Sequence, residues 1–208
     1  MGAWTDHVVP RMADRALRTP EIAELRRQAC APLQGRVLEI GFGSGLNIRW
    51  YPPSVETVAA VEPSDAGWAL SERHRARTGV PIERRGLDGQ RLDEPDASYD
   101  GVLVTFTLCT VPDADLALAE VRRVLRPDGV LCVLEHGLSP DPRVARWQRR
   151  LDPLQQRIAG GCHLTRDIAA LVRGAGLEIE HLETSYLEGP AISQPWSYAY
   201  LFTARPRG

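Results

Sequence analysis

The sequence contains no lysine: all 25 of its basic residues are arginine. Against 27 acidic residues they leave a formal charge of -2, so there is no bulk attraction to nucleic acid, and any basic contact is confined to a local patch. Cysteine is sparse as well. The four thiols, Cys30, Cys109, Cys132 and Cys162, lie far apart with no C-x-x-C pair, so spacing supports neither a disulfide framework nor a zinc site, and no metal is expected. Cys30 and Cys132 read as small buried hydrophobes. No apolar run approaches the roughly 18 residues that a membrane span needs, and Met1 to Pro10 lacks the basic-then-apolar order of a signal peptide. The expected compartment is therefore the cytoplasm.

What is present is ordinary globular material. At 208 residues, 43% hydrophobic and 25% charged, the chain suits one domain with one well-filled core. Strand-like runs alternate with helical periods, the pattern of a parallel sheet covered by helices. Residues 1–34 read as an N-terminal helical or lid segment, and 35–208 as the core. Thr19-Pro20 opens a helix with Ile22, Leu25 and Ala29 on one face, stopped by Pro32 and Gly35. Strands follow at Arg36 to Gly41, Thr57 to Val61 and, weakly, Val80 to Arg85, with a helix from Ser64 or Asp65 to about Thr78 between the last two. Tyr99 to Thr105 is nearly all apolar and should be a central strand. Asp113 caps a helix with Leu116, Ala117, Val121, Val124 and Leu125 on its buried side, and Pro127-Asp128-Gly129 turns into a strand from Val130 to Leu134. Asp141-Pro142 and Asp152-Pro153 predict two consecutive short helices, and Thr165 caps a third. Leu177 to Glu183 and Trp196 to Ala204 supply the last strands.

Gly41-Phe42-Gly43-Ser44-Gly45 joins a strand to helical sequence, so its backbone can turn tightly and let a nucleotide-like ligand approach. A dinucleotide fingerprint wants G-x-G-x-x-G, but position 46 is Leu, which argues against a pyrophosphate grip. Glu62 ends the second strand 21 residues after Gly41, in register to accept the hydroxyls of a ribose.

Glu39-Ile40-Gly41-Phe42-Gly43-Ser44-Gly45 resembles the first motif, E-x-G-x-G-x-G, of the class I S-adenosylmethionine-dependent methyltransferases, and Glu62 resembles their ribose-binding acid. Leu87-Asp88-Gly89-Gln90 is similar to the stretch that meets the adenine. Thr105-Phe106-Thr107-Leu108 occupies the position after strand four that lines the methionine end, and Leu125-Arg126-Pro127-Asp128-Gly129 resembles the turn before strand five. The resemblance implies an α/β, Rossmann-like fold with a seven-stranded, mostly parallel sheet whose last strand is antiparallel, and helices on both faces. It also implies S-adenosylmethionine as cofactor, contacted by Glu39, Gly41, Gly43, Ser44, Gly45, Asn47, Glu62, Pro63, Leu87, Asp88, Gly89, Thr105, Phe106 and Thr107. A narrower resemblance is to the thiol S-methyltransferase branch of the type 11 group and its bacterial relatives. Leu108-Cys109-Thr110-Val111, Glu135-His136, Leu151-Asp152-Pro153, Gly161-Cys162-His163-Leu164-Thr165-Arg166-Asp167 and Tyr198-Ala199 carry it. The chain departs from that branch at His163, where the thiol enzymes carry Asn, and at Glu62 for their Asp, and no hydrophobic anchor like theirs is expected.

Methyl transfer is an in-line displacement that mainly needs a positioned acceptor and exclusion of water. A thiol, with a pKa near about 8.5, needs little help to ionise, whereas a hydroxyl needs a base. His136, directly after strand five, is the first candidate for base or acceptor-orienting group, or else it holds the following loop. His163, in the Gly160-Gly161-Cys162-His163 loop, is the second, with Cys162 in the setting of a reactive thiol beside a helix start, or else Gly160 and Gly161 merely make the turn; His7 is a third. Trp4, Tyr186, Trp196 and Tyr198 read as aromatic walls or as core. Arg143, Arg146, Arg150 and Arg157 fall on one helical face and Trp147, Leu151, Leu154 and Ile158 on another, a segment suited to solvent, an anionic substrate or peripheral contact with a membrane surface. No acid-Pro-Pro-aromatic tetrapeptide follows strand four, which turns the reading away from nucleobase or glutamine amino groups. The expected activity is therefore methylation of a small molecule, a thiol first. O- or N-methylation of a small metabolite or phospholipid head group, and a non-catalytic cofactor-binding protein, are the alternatives.

Overall fold

The computed structural model describes Trp4 and residues 8–207. Seven strands, β1 (Gly35–Ile40), β2 (Val55–Val61), β3 (Ile82–Gly86), β4 (Tyr99–Thr105), β5 (Leu125–His136), β6 (Leu177–Tyr186) and β7 (Tyr198–Pro206), form one sheet in the order β3-β2-β1-β4-β5-β7-β6. The first five pair in parallel, and β7 runs antiparallel to both its neighbours. Strands β1 and β4 are apolar along most of their length because both faces are covered. On one face α4 (Ala114–Val124) and α6 (Ile168–Gly174) bring Leu118, Val121, Ile168 and Val172 onto Val102, Val104 and Val133. On the other, α2 (Pro20–Cys30) packs Ala29 and Cys30 against Val37, Leu103 and Cys132, with Ile48 alongside.

Local chemistry accounts for the helix starts. Thr19, Ser64, Asp113, Asp141 and Asp167 each accept a first-turn N–H ahead of α2, α3 (Asp65–Arg75), α4, α5 (Pro142–Ile158) and α6. Four expectations change. Asp167, not Thr165, caps α6. Pro127-Asp128-Gly129 lies inside β5 as an irregularity, between Leu125, which pairs with Tyr99, and Val130, which pairs with Gly101. The two helices expected at 142 and 153 are one helix that keeps Pro153: the carbonyl left without its usual donor is that of Arg149, an exposed residue. Asp152 accordingly does not cap it, but accepts from Leu164 N and Gln156 Nε2. Finally, Leu116 is 54% exposed while Leu118 is fully buried, because the buried stripe of α4 runs through Ala114, Ala117, Leu118, Val121 and Val124.

The topology places the site. The chain leaves β1 toward β2 on one side and resumes at β4 on the other, so the carboxyl ends of β1 and β4 flank the crevice where open α/β sheets bind ligands. Truncating Leu118 to Ala should cost about 2–5 kcal/mol in chemical denaturation, and Leu116→Ala no more than about 0.5 kcal/mol. Equal losses would contradict the face assigned to α4.

Candidate active site

Gly41 follows β1 with φ +77°, and a Cβ there would lie 1.8 Å from Thr107 Oγ1. Only glycine lets this loop lie against the segment after β4. Gly43 and Gly45 also have positive φ, and a Cβ on Gly89 would meet Ile40 at 2.6 Å. The segments 41–45, 87–89 and 105–107 are thus drawn together at the ends of β1, β3 and β4. Phe106 is in the left-handed region with φ +52°, a conformation that costs a bulky residue about 1–3 kcal/mol. It is held there by its own N–H on Leu134 O at 2.8 Å and by the Arg26 guanidinium over its ring.

Three glutamates buried at strand ends organise these loops. Glu62, 6% exposed, accepts from Gly43 N at 2.6 Å and Ser64 N at 2.7 Å, so its carboxylate sits inside the glycine loop, and burial raises its pKa. Glu135 accepts from Thr107 N at 2.5 Å, Leu108 N at 2.7 Å and Cys109 N at 3.4 Å, and burial raises it too. Glu39 accepts from Asn47 Nδ2 at 2.9 Å and from the Tyr51 hydroxyl. Arg26 joins that group, donating to Asn47 Oδ1 at 2.7 Å and Thr105 Oγ1 at 2.9 Å. Asn47 Nδ2 also donates to Thr105 Oγ1. Arg26 and Tyr51 escaped the sequence reading. Arg26 had a signal, a charge on the buried stripe between Ile22 and Ala29; Tyr51, beyond the glycine loop, had none.

Of the other expected contacts, Ser44 is buried and donates to Asp14 on α1 (Val9–Ala16) at 2.5 Å. Leu87 is 61% exposed, Asp88 and Pro63 are exposed beside it and beside Glu62 respectively, and Asp88 Oδ1 accepts from Gln90 N.

At the far end of β5, His136 turns Nε2 toward Cys162 Sγ at 3.0 Å. Burial pulls the imidazolium down, contact with Cys162 and the charge of Glu135 together more than offset it, and the pKa is raised. Cys162 is not beside a helix start, since α6 begins at Ile168, and its thiol is pushed up, not down, by Cys109 and by burial. His163 is brought close by its N–H on Cys109 O at 2.7 Å. Its ring faces Asp152 at 3.6 Å, and burial lowers its pKa. His7 lies outside the described residues. Tyr186, Tyr198 and Tyr200 stack edge to face. Trp4 and Trp196 do not join them but bond to Ile158 O and Gln155 Oε1 on α5. The apolar side of α5 is not its buried side. Val144, Ala145, Gln148 and Asp152 face inward, while Trp147, Leu154 and Ile158 are exposed.

Burial lifts the Glu39 carboxyl to about 7, against about 4.3 in an unfolded chain. Between those values the folded state keeps a proton that the unfolded state has released, so this group makes stability fall as pH rises through that window and then level off. Thermal midpoints of Glu39→Gln measured against pH should lose that descending component, and curves parallel to the wild type would contradict it.

Residues 38–133 match the family model described as a methyltransferase domain. Thiol S-methyltransferase TMT1B of Rattus norvegicus is 36% identical over 137 residues, which is 63% of this chain and 55% of the relative. Phosphatidylethanolamine N-methyltransferase of Cereibacter sphaeroides is 33% identical over 104 residues, 49% of this chain and 51% of the relative. The chain thus spans about half the length of these curated relatives. Among solved structures, a SAM-dependent methyltransferase of Thermotoga maritima shares the fold with a TM-score of 0.68 at 21% identity, covering 95% of this chain and 96% of that one. Residues 38–133 thus match a methyltransferase domain, and the seven-stranded sheet is a Rossmann-like fold shared with solved SAM-dependent methyltransferases.

Proposed function

We propose that the chain is an S-adenosylmethionine-dependent methyltransferase of a small-molecule acceptor, with a thiol as the first choice. The observation that carries the reading is the Glu62 carboxylate, buried within the glycine loop at the end of β2. The residues fit the cofactor. Glu62 uses its oxygens on two backbone N–H groups and has lone pairs left for ribose hydroxyls. Leu87 offers an open apolar face for an adenine, with Asp88 and Gly89 beside it, and Pro63 borders the ribose. Arg26 Nε is buried without a hydrogen-bond partner among the described residues. It lies against Thr105 and Phe106, where a carboxylate at the methionine end would meet a cation. Gly41, Gly43, Ser44, Gly45 and Asn47 shape the loop, and Glu39 fixes Asn47.

S-adenosylmethionine supplies, when bound, a methyl group on a sulfonium sulfur. What falls to the chain is to hold the acceptor in line and keep water out. His136 is the group we set against the acceptor, where it can receive the acceptor's proton at a ring nitrogen, and His163 is the second. We assign 1–34 as an N-terminal helical or lid segment joined to a core of 35–208 in one domain. That assignment is supported by Trp4 bonding to Ile158 O and by Asp14 accepting from Ser44 in the glycine loop. The cytoplasm is the proposed location, supported by four unpaired cysteines. No described helix is long and apolar enough to cross a membrane.

A second reading, methylation of a phospholipid amine head group, is favoured by the exposed Trp147, Leu154 and Ile158 beside Arg146 and Arg150. The similarity to a phosphatidylethanolamine N-methyltransferase also supports it.

Calorimetry should find S-adenosylmethionine bound by the wild type and weakened about 10–100-fold in Glu62→Ala, since each charge-assisted hydrogen bond is worth about 1.5–3 kcal/mol. Unchanged affinity in that variant would sink the assignment. A labelled-methyl assay over thiols, phenols, amines and phosphatidylethanolamine should show turnover on small thiols, and binding without turnover on any of them would instead support a non-catalytic cofactor-binding protein. Co-sedimentation with phosphatidylethanolamine vesicles, lost on changing Arg146 and Arg150 to Ala, is the outcome that would move the acceptor to the lipid.

A further inference from the structure

Spacing along the chain separates Cys109, His136 and Cys162, but the fold does not. Cys109 follows β4, His136 ends β5 and Cys162 lies in the loop between α5 and α6. One ligand atom from each comes within 4.8 Å of the other two. Each position is anchored through its backbone. Glu135 takes the N–H groups of residues 107–109. His163 N donates to Cys109 O at 2.7 Å. Cys162 N donates to Ala159 O at 3.2 Å and Gly161 N to Gln156 O at 2.8 Å. Both thiols are buried, and His136 Nδ1 is buried without a hydrogen-bond partner among the described residues.

We propose that Cys109, His136 and Cys162 form a Zn2+ site with three protein ligands, whose fourth position takes the sulfur of an acceptor thiol. Zn2+ replaces the S–H protons of Cys109 and Cys162, which pass to water, and the resulting two thiolates and an imidazole are a soft to borderline set that suits Zn2+ and not Mg2+, Ca2+ or Mn2+. With Zn–S near 2.3 Å and Zn–N near about 2.0 Å, tetrahedral zinc sets its ligands roughly 3.5–3.8 Å apart, so the observed cluster closes on an ion with shifts of about 1 Å. Three protein ligands leave one tetrahedral position open, the arrangement of zinc sites that act on a ligand and not of those that only brace a fold. The cluster adjoins the crevice. Cys109 is two residues beyond Thr107, whose side chain packs against Gly41. A thiol entering the fourth position exchanges its S–H bond for a Zn–S bond, the proton passes to water, and no oxidation state changes. With zinc bound, His136 is a ligand and gives up the proton-accepting role set for it in the metal-free site, since a zinc-held thiolate needs no further base. The thiol step rests on the methyl-transfer reading; the metal step does not.

The test uses the full chain, first with Zn2+ alone. Elemental analysis of protein prepared in zinc-supplemented medium should give close to one Zn2+ per chain. Cys109→Ser and Cys162→Ser should each weaken Zn2+ binding by roughly 100-fold or more, beyond the 10–100-fold typical of losing an outer partner. Both variants should still bind S-adenosylmethionine in calorimetry, which shows that they fold. Cys30→Ala and Cys132→Ala, whose thiols lie in the core on the α2 side of the sheet, should leave zinc content unchanged. Cobalt substitution should show sulfur-to-metal charge-transfer absorption and the bands of a tetrahedral ion, and a small alkyl thiol should shift them. A wild type that takes up no zinc, or zinc lost equally from the Cys30→Ala and Cys132→Ala variants, overturns the site. A cobalt spectrum indifferent to thiol overturns the role of the fourth position. Failure of the wild type to bind S-adenosylmethionine would overturn the methyl-transfer reading and leave the metal site standing.

Discussion

A carboxylate taken out of water must gather donors or a proton, and the strand-end rim of this protein is organised around three that do so. Glu39, Glu62 and Glu135 end or follow β1, β2 and β5, and each collects hydrogen bonds from loops that would otherwise be free. Glu62 fixes Gly43, and Glu39 fixes Asn47 and through it Arg26 and Thr105. Glu135 fixes the backbone of Thr107, Leu108 and Cys109. The close approach of Gly41 to Thr107 then needs no further support than the absence of a side chain. Burial raises all three carboxyls, so part of the stability of the chain is exchanged for loops held in one geometry.

Much of this was legible in the residues. The glycine loop, Glu62, the apolar run of β4 and the capping residues Thr19, Ser64 and Asp113 are local signals, and local signals survive folding. The antiparallel last strand was legible only through the family resemblance. What local reasoning misjudged depended on tertiary context. Asp152-Pro153 has the composition of a helix start, yet the helix runs through it, and the carbonyl left without its usual donor belongs to an exposed residue. Leu116 has the right spacing for the core and faces solvent. The polar side chains Gln148 and Asp152 lie on the inner face of α5 because both have hydrogen-bond partners there: Gln148 on Ser139 N, Gly137 O and Pro195 O, and Asp152 on Leu164 N.

The side proposed to face the acceptor was the least legible because it is assembled from far apart in the chain. Cys109, His136 and Cys162 carry no metal-ligand spacing, and nothing in the residues alone reports that His163 N reaches Cys109 O. Arg26 shows the intermediate case. Its place on the buried stripe of α2 was visible, but its partners Asn47 and Thr105 were not. The half of the rim proposed to hold the cofactor is thus written in contiguous motifs, whereas the half proposed to face the acceptor depends on tertiary contacts.

The central claim is that the loops gathered by these carboxylates hold S-adenosylmethionine. It is tested most directly by backbone amide exchange with and without S-adenosylhomocysteine, the demethylated form, which binds without turnover. The account predicts slowed exchange confined to residues 41–45, 62–64, 87–89 and 105–107. Unchanged exchange there, or protection elsewhere on the chain alone, would contradict it.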